Sequence, residues 1–309
     1  MCGRAKTADG WRFRLTSHAW RADGVRSCRV MTDVRHVDVA GCHMRYMRTG
    51  SGPPVVLLHT LRTQLEYFLP LLGALGRDVD IVAPDLPGHG RSTAPAVDYT
   101  ATYFTDAIAQ FLDVTDLKNV ILVGESIGAV IALTLAAQEN RRVVRVIALN
   151  PYDYGRWGGI RRSSPLANVL FTAMLWPVVG PIVVRAGTKG ILRKVLEGGV
   201  HDPRSLPPDL VGELWECGAL PGHGRAFRSL CRQWRTWIAA RAAYSAIEMP
   251  VTLVYGDDDW SWPEDREANQ RALRTARHLS LENCGHFSSL EQPQRVARII
   301  REEMLTGLT

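Results

Sequence analysis

The sequence predicts an α/β fold: a mostly parallel central sheet with helices on both faces and an inserted helical lid. Three observations carry the prediction. Short apolar runs alternate with helical periodicity through most of the 309 residues, the order expected when crossover helices cover a parallel sheet. One run, Val120-Ile121-Leu122-Val123, breaks into Gly124-Glu125-Ser126-Ile127-Gly128 and then into small, apolar Ala129-Val130-Ile131-Ala132-Leu133. The alternation stops between Tyr152 and Met249, where the periodicity is helical and five of the nine tryptophans gather.

In chain order, Pro54-Val55-Val56-Leu57-Leu58-His59 reads as a buried strand running into the loop Thr60-Leu61-Arg62-Thr63. Helices are expected near 63–76, 101–113, 127–139, 264–274 and 290–305. Val79-Asp80-Ile81-Val82-Ala83-Pro84 is a strand leading to the turn-rich Asp85-Leu86-Pro87-Gly88-His89-Gly90-Arg91-Ser92, in which His89 and Ser92 read as turn residues. Further strands are expected at 143–149, 251–255 and 276–281. Residues 152–249 fall between two of them, so they form a lid over the sheet's C-terminal edge, where open α/β sheets bind ligands. The stretch from Leu166 to Val184 is apolar enough to resemble a membrane span, but Pro177, Gly180 and Pro181 make it a poor one. A buried or pocket-lining lid helix is the better expectation.

A Gly-x-Ser-x-Gly turn between strand and helix forces the serine into a strained, exposed position, where its hydroxyl can act as a nucleophile. The flanking glycines remove side chains that would clash in so tight a turn. The loop at Thr60–Thr63 is placed to offer a backbone N–H to a developing oxyanion. Downstream, the strand at 251–255 ends in Gly256-Asp257-Asp258-Asp259, and Gly285-His286-Phe287 precedes the last helix. The chain order is Ser, Asp, His.

Over roughly residues 34 to 307 these motifs jointly make the chain resemble the α/β-hydrolase superfamily, in its serine-nucleophile, lid-bearing branch of esterases and lipases. The resemblance implies Ser126 as nucleophile, His286 as general base and then general acid, and Asp259 as the acid orienting the imidazole, since the family places it in a Gly-x-x-Asp turn. Such an acid accepts the His Nδ1–H bond so that Nε2 faces the serine. Asp153, after the preceding strand, is a second position open to the acid. The resemblance also puts the oxyanion donors at the N–H groups of Leu61 and Ile127. Two departures stand out: Thr60 follows His59 where the family usually has glycine, and Arg62 replaces a common proline, which sets a cation near the pocket mouth.

Composition bounds the partners. The net charge of +6 is uneven: residues 1–30 carry +5, residues 152–249 carry +6, and the rest −5. No basic, aromatic-interleaved module accompanies the positive charge, so nucleic-acid binding is not expected. The basic lid is either a solvated helical face or a bias toward anionic substrates. Residues 1–30 lack the apolar core of a signal peptide and read as a disordered arm, a targeting segment, or residues ahead of a functional start at Met31. Six cysteines without C-x-x-C spacing suit a reducing, cytoplasmic setting. No His-Glu-x-x-His occurs, and an activated serine calls for neither metal nor cofactor.

The expected domain plan is a core of 31–151 and 250–309 with the lid at 152–249. The expected activity is hydrolysis of a carboxylic ester or related acyl compound, on a small and hydrophobic substrate, without stable membrane insertion. C–C bond cleavage, acyl transfer or cyclisation would use the same triad. A ligand receptor that kept the fold is the reading from another class.

Overall fold

A computed structural model describes residues 33–155 and 158–306. The expectation for residues 1–30 lies outside the described residues, as does Trp157 of the inserted segment. The described chain enters as an antiparallel hairpin, β1 (Asp33–Val39) and β2 (Cys42–Thr49). There follow β3 (Pro54–Leu58), a 3-10 turn over Leu65–Phe68, α1 (Leu69–Leu75), β4 (Asp80–Pro84) and α2 (Ala101–Val114). Next come β5 (Val120–Glu125), α3 (Ile127–Ala137) and β6 (Val143–Leu149). Thr100 caps α2, its side chain accepting the Tyr103 N–H.

The inserted segment holds α4 (Pro165–Met174), α5 (Val179–Ala186), α6 (Lys189–Glu197), α7 (Pro208–Gly218), α8 (His223–Arg232) and α9 (Trp234–Ala240). The core resumes with β7 (Val251–Gly256), α10 (Pro263–Ala272), β8 (Arg277–Leu281), α11 (Ser288–Glu291) and α12 (Pro293–Leu305). The single helix expected over 290–305 is two, because Pro293 has no N–H to continue the first and instead opens the second.

The strands form one sheet in the order β1-β2-β4-β3-β5-β6-β7-β8. From β4 to β8 neighbours are parallel, while β2 joins β4 antiparallel. Side chains alternate between two cores, as the period of a strand requires. Val56, Leu58, Leu122, Val146 and Ala148 face Phe104, Ile108 and the apolar α3. Val55, Leu57, Ile121, Val123 and Ile147 face Leu71, Leu72, Val296 and Ile300. The central strands are thus apolar on both faces, which a sheet covered on both sides demands.

Chain direction across the sheet reverses between β3 and β5. After β3 the chain moves outward to β4, then returns to place β5 on the other side of β3. A crevice opens outside the carboxyl ends at such a switch. Here those ends carry the Thr60–Thr63 loop and Ser126.

The apolar stretch from Leu166 to Val184 differs from its expectation. It is split between α4 and α5 around Pro177, and Val169, Trp176, Val178 and Ile182 are each more than 60% exposed, so they do not line a buried pocket. No helix among the described residues is long and apolar enough to cross a membrane.

Candidate active site

Ser126 stands between β5 and α3 with φ 61° and ψ −115°, a conformation that non-glycine residues adopt only when their surroundings enforce it. The enforcement is visible on both sides. A Cβ on Gly124 would collide with the Gly128 carbonyl, and one on Gly128 with the Leu58 carbonyl. The second contact also presses the start of α3 against the end of β3, bringing the elbow beside the Thr60–Thr63 loop. Ser126 N–H donates to Leu149 O at 2.9 Å, and its carbonyl accepts from Tyr152 N at 3.2 Å.

That loop is held by a buried imidazole. His59 Nδ1 lies 2.9 Å from Thr60 O, and Nε2 accepts the Leu86 N–H at 2.9 Å. Burial lowers the His59 pKa, which keeps the ring neutral and fixes the tautomer that both contacts need. Thr63 also donates to Thr60 O, from N–H at 3.3 Å and Oγ1 at 2.9 Å. Below it, Arg45 bridges Asp85 and Glu66, while Asp85 Oδ1 accepts the Leu65 N–H. Ser92 donates to Asp85 O at 2.7 Å and His89 Nδ1 faces Pro87 O at 3.0 Å, the turn roles expected of them. Leu61 is buried at the bend, and Ile127 opens α3, where first-turn N–H groups lack intrahelical partners.

His286 and Asp259 meet. His286 Nδ1 sits 2.5 Å from Asp259 Oδ1, both side chains being fully buried. Asp259 Oδ2 accepts the Ser261 N–H at 2.9 Å. Burial pushes the Asp259 carboxyl up, but His286 and the Ser261 hydrogen bonds outweigh it and leave the pKa below the usual value. Asp153, the other position considered for the acid, is engaged elsewhere: Oδ1 takes Arg241 at 3.1 Å and Asn269 at 2.8 Å. Asp257 and Asp258 pair with Ser280 and His201.

The remaining polar ends at the site are open. Ser126 Oγ and His286 Nε2 are both buried without a hydrogen-bond partner. Glu125 ties together the segments that carry them, accepting from Tyr67 Oη at 2.9 Å and from Ser289 N at 3.3 Å. Burial raises the Glu125 pKa to about 7. Among the described residues, no group of three or more His, Cys, Asp or Glu is arranged to hold a metal ion.

Residues 55–299 match the alpha/beta hydrolase family. The chain belongs to that family. The hydrolase is 31% identical over 255 residues to the (E)-2-((N-methylformamido)methylene)succinate hydrolase of Acinetobacter baylyi, covering 81% of this chain and 90% of that one. It is 26% identical over 279 residues to the 2-hydroxy-6-oxo-2,4-heptadienoate hydrolase of Pseudomonas putida, covering 87% and 95%. In fold it is similar to Cfl2 from Burkholderia cenocepacia, with a TM-score of 0.77 at 23% identity over 87% of this chain and 94% of that one.

Several residues that hold this hydrolase's site together carry no sequence signal of their own. Asn150 donates from Nδ2 to His286 O at 3.0 Å and accepts the Gly256 N–H at 2.9 Å, stitching β6 to β7 and the His286 loop. Trp260 stacks on the imidazole with centroids 4.0 Å apart and donates to Gly198 O at 2.8 Å. His286 N–H in turn donates to Gly199 O at 2.7 Å, so the insertion grips the histidine directly. A cleft within the inserted segment is lined by Tyr152, Tyr154, Phe171, Leu230, Trp234 and Trp237 among others. Tyr154 Oη reaches His286 Nδ1 at 3.4 Å, which joins the cleft to the histidine.

Proposed function

We propose that the protein is a serine hydrolase that cleaves a carboxylic ester or related acyl compound through an acyl-enzyme. The observation that supports this best is the pairing of His286 with Asp259. An Nδ1–H donated to Asp259 leaves Nε2 as the proton acceptor, and Ser126 Oγ is a buried hydroxyl without a partner. In this reading Ser126 attacks the carbonyl while His286 takes its proton. Leu61 and Ile127 N–H groups stabilise the oxyanion, and His286 returns the proton to the leaving group. Water, activated by His286, then releases the acid. The helices of 152–249 act as the lid, and the apolar cleft suits a small substrate with a hydrophobic part.

The name of one relative, the 2-hydroxy-6-oxo-2,4-heptadienoate hydrolase, favours a second reading, C–C bond hydrolysis of an oxo acid by the same three residues. Both relatives are named for carboxylate compounds. A fluorophosphonate probe tests the shared chemistry: it should label Ser126, and Ser126→Ala should lose both labelling and turnover. Labelling that persists in Ser126→Ala would remove Ser126 from the mechanism. A panel pairing acyl esters with a 1,5-diketo acid then separates the two readings by kcat/KM.

A further inference from the structure

Arg62 contrasts with four other guanidinium groups drawn into the protein. Arg45, Arg145, Arg162 and Arg241 each pair with a carboxylate. Arg62 is partly buried, and among the described residues its guanidinium has no acidic partner. Its neighbours are the Phe227 ring, 5.2 Å from its central carbon, and Cys217, which lines the same cleft. Burial accordingly lowers its pKa. A partly buried charge without an acidic neighbour is available to an anion that reaches it.

The surroundings leave room for that charge. A Cβ on Gly218, the last residue of α7, would collide with the Arg62 guanidinium. The absence of a side chain there lets the guanidinium occupy the wall of a second, narrow cleft with His89, Leu214, His223 and Phe227. Arg62 itself has φ 63°, left-handed backbone at a residue with a Cβ, which the His59 and Thr63 contacts to Thr60 O maintain. It directly follows Leu61. Its backbone therefore belongs to the same loop as a proposed oxyanion donor.

We propose that this cleft is an anion subsite of the active site, in which Arg62 receives a carboxylate carried by the substrate. The fork of N–H donors matches a carboxylate's two oxygens, and such a charge-assisted pair is strongest where water is scarce. The bound carboxylate would supply the counter-charge that the protein withholds. A substrate with a carboxylate at one end and its scissile acyl group a few carbons away would be held at both ends. This inference rests on the serine hydrolase reading for its geometry, since Leu61 marks where the carbonyl lies.

The test compares monomethyl glutarate with dimethyl glutarate, which differ in the free carboxylate. The parent protein should prefer the half-ester, and Arg62→Gln should lower the ratio of the two kcat/KM values about 10- to 100-fold. Arg62→Lys, which keeps the charge and loses the fork, should retain part of the preference. Gly218→Ala should lower the ratio by displacing the guanidinium. A purely structural Arg62, stacked on Phe227, would change both esters alike and leave the ratio where it was; that result, or no half-ester preference in the parent, overturns the subsite.

Calorimetry on Ser126→Ala protein separates this failure from failure of the hydrolase reading. Glutarate should bind there and lose affinity on adding Arg62→Gln, whether or not the parent turns over any ester. If inorganic phosphate binds more tightly than glutarate and with the same dependence on Arg62, the site serves a free anion and the substrate-carboxylate proposal is overturned. Fluorophosphonate labelling of Ser126 together with an unchanged ester ratio would leave the hydrolase standing and remove the subsite.

Discussion

At the scale of single residues, two carboxyl groups make opposite demands on pH. Asp259 is held below its usual pKa by His286 and Ser261 against the pull of burial. Asp259→Asn should therefore lower turnover by several orders of magnitude, on the order of 10⁴-fold as in other triads, because the amide favours the wrong histidine tautomer. Asp257→Asn and Asp258→Asn should do far less. Asp153→Asn should act on stability rather than turnover, since its carboxylate meets Arg241 and Asn269 instead of His286. Steady-state kinetics on the four variants, with melting temperatures, checks the assignment. Glu125 goes the other way, raised by burial from 4.5 to about 7. Between those values the folded protein keeps a proton that the unfolded chain has released, so this group makes stability fall as pH rises through the window. The full effect is on the order of 3 kcal/mol. Glu125→Gln should flatten that part of the profile in denaturant titrations at pH 5, 6, 7 and 8; an unchanged slope would mean that Glu125 is ionised in the fold.

Among the elements, those around the site were the most legible. The runs at 120–123 and 143–149 became β5 and β6 because strands apolar on both faces belong to the middle of a covered sheet. The hairpin of β1 and β2 was not read, because β1 lies at the sheet edge, largely exposed, and alternates charged residues with valine in no buried pattern. The insertion misled in one respect. Apolar content at 166–184 suggested a pocket wall, yet the cleft is lined from α8, α9 and the segment after β6, with Phe171 the residue of that stretch facing it. Each buried methylene contributes about 0.8 kcal/mol, so kcat/KM should rise roughly three- to fourfold per added carbon until the cleft is full. Trp234→Ala should flatten that series, whereas Trp176→Ala, at a position 62% exposed, should leave it alone. A series altered equally by both variants would place the acyl chain outside this cleft.

Across the whole molecule, Ser, Asp and His were readable because each sits where a strand gives way to a tight turn, and turns are written in glycine and aspartate. Their supports were not. Asn150, Trp260 and the Gly198–Gly199 backbone act through contacts between residues distant in sequence, and no local pattern records such a contact. Gly128→Ala should expose the dependence of the site on the fold. Its Cβ would drive α3 away from β3, lowering stability by about 2 kcal/mol or more and separating the elbow from the Leu61 loop. Thermal denaturation and ester hydrolysis should therefore fall together. Rapid-quench intact-mass spectrometry during turnover of a p-nitrophenyl ester tests whether Ser126 carries the substrate's acyl group. A mass increase equal to the acyl group is expected, located by peptide mapping to the segment containing Ser126 and absent in Ser126→Ala; an acyl adduct on another residue, or undiminished turnover by Ser126→Ala, would show that Ser126 is not the acyl carrier.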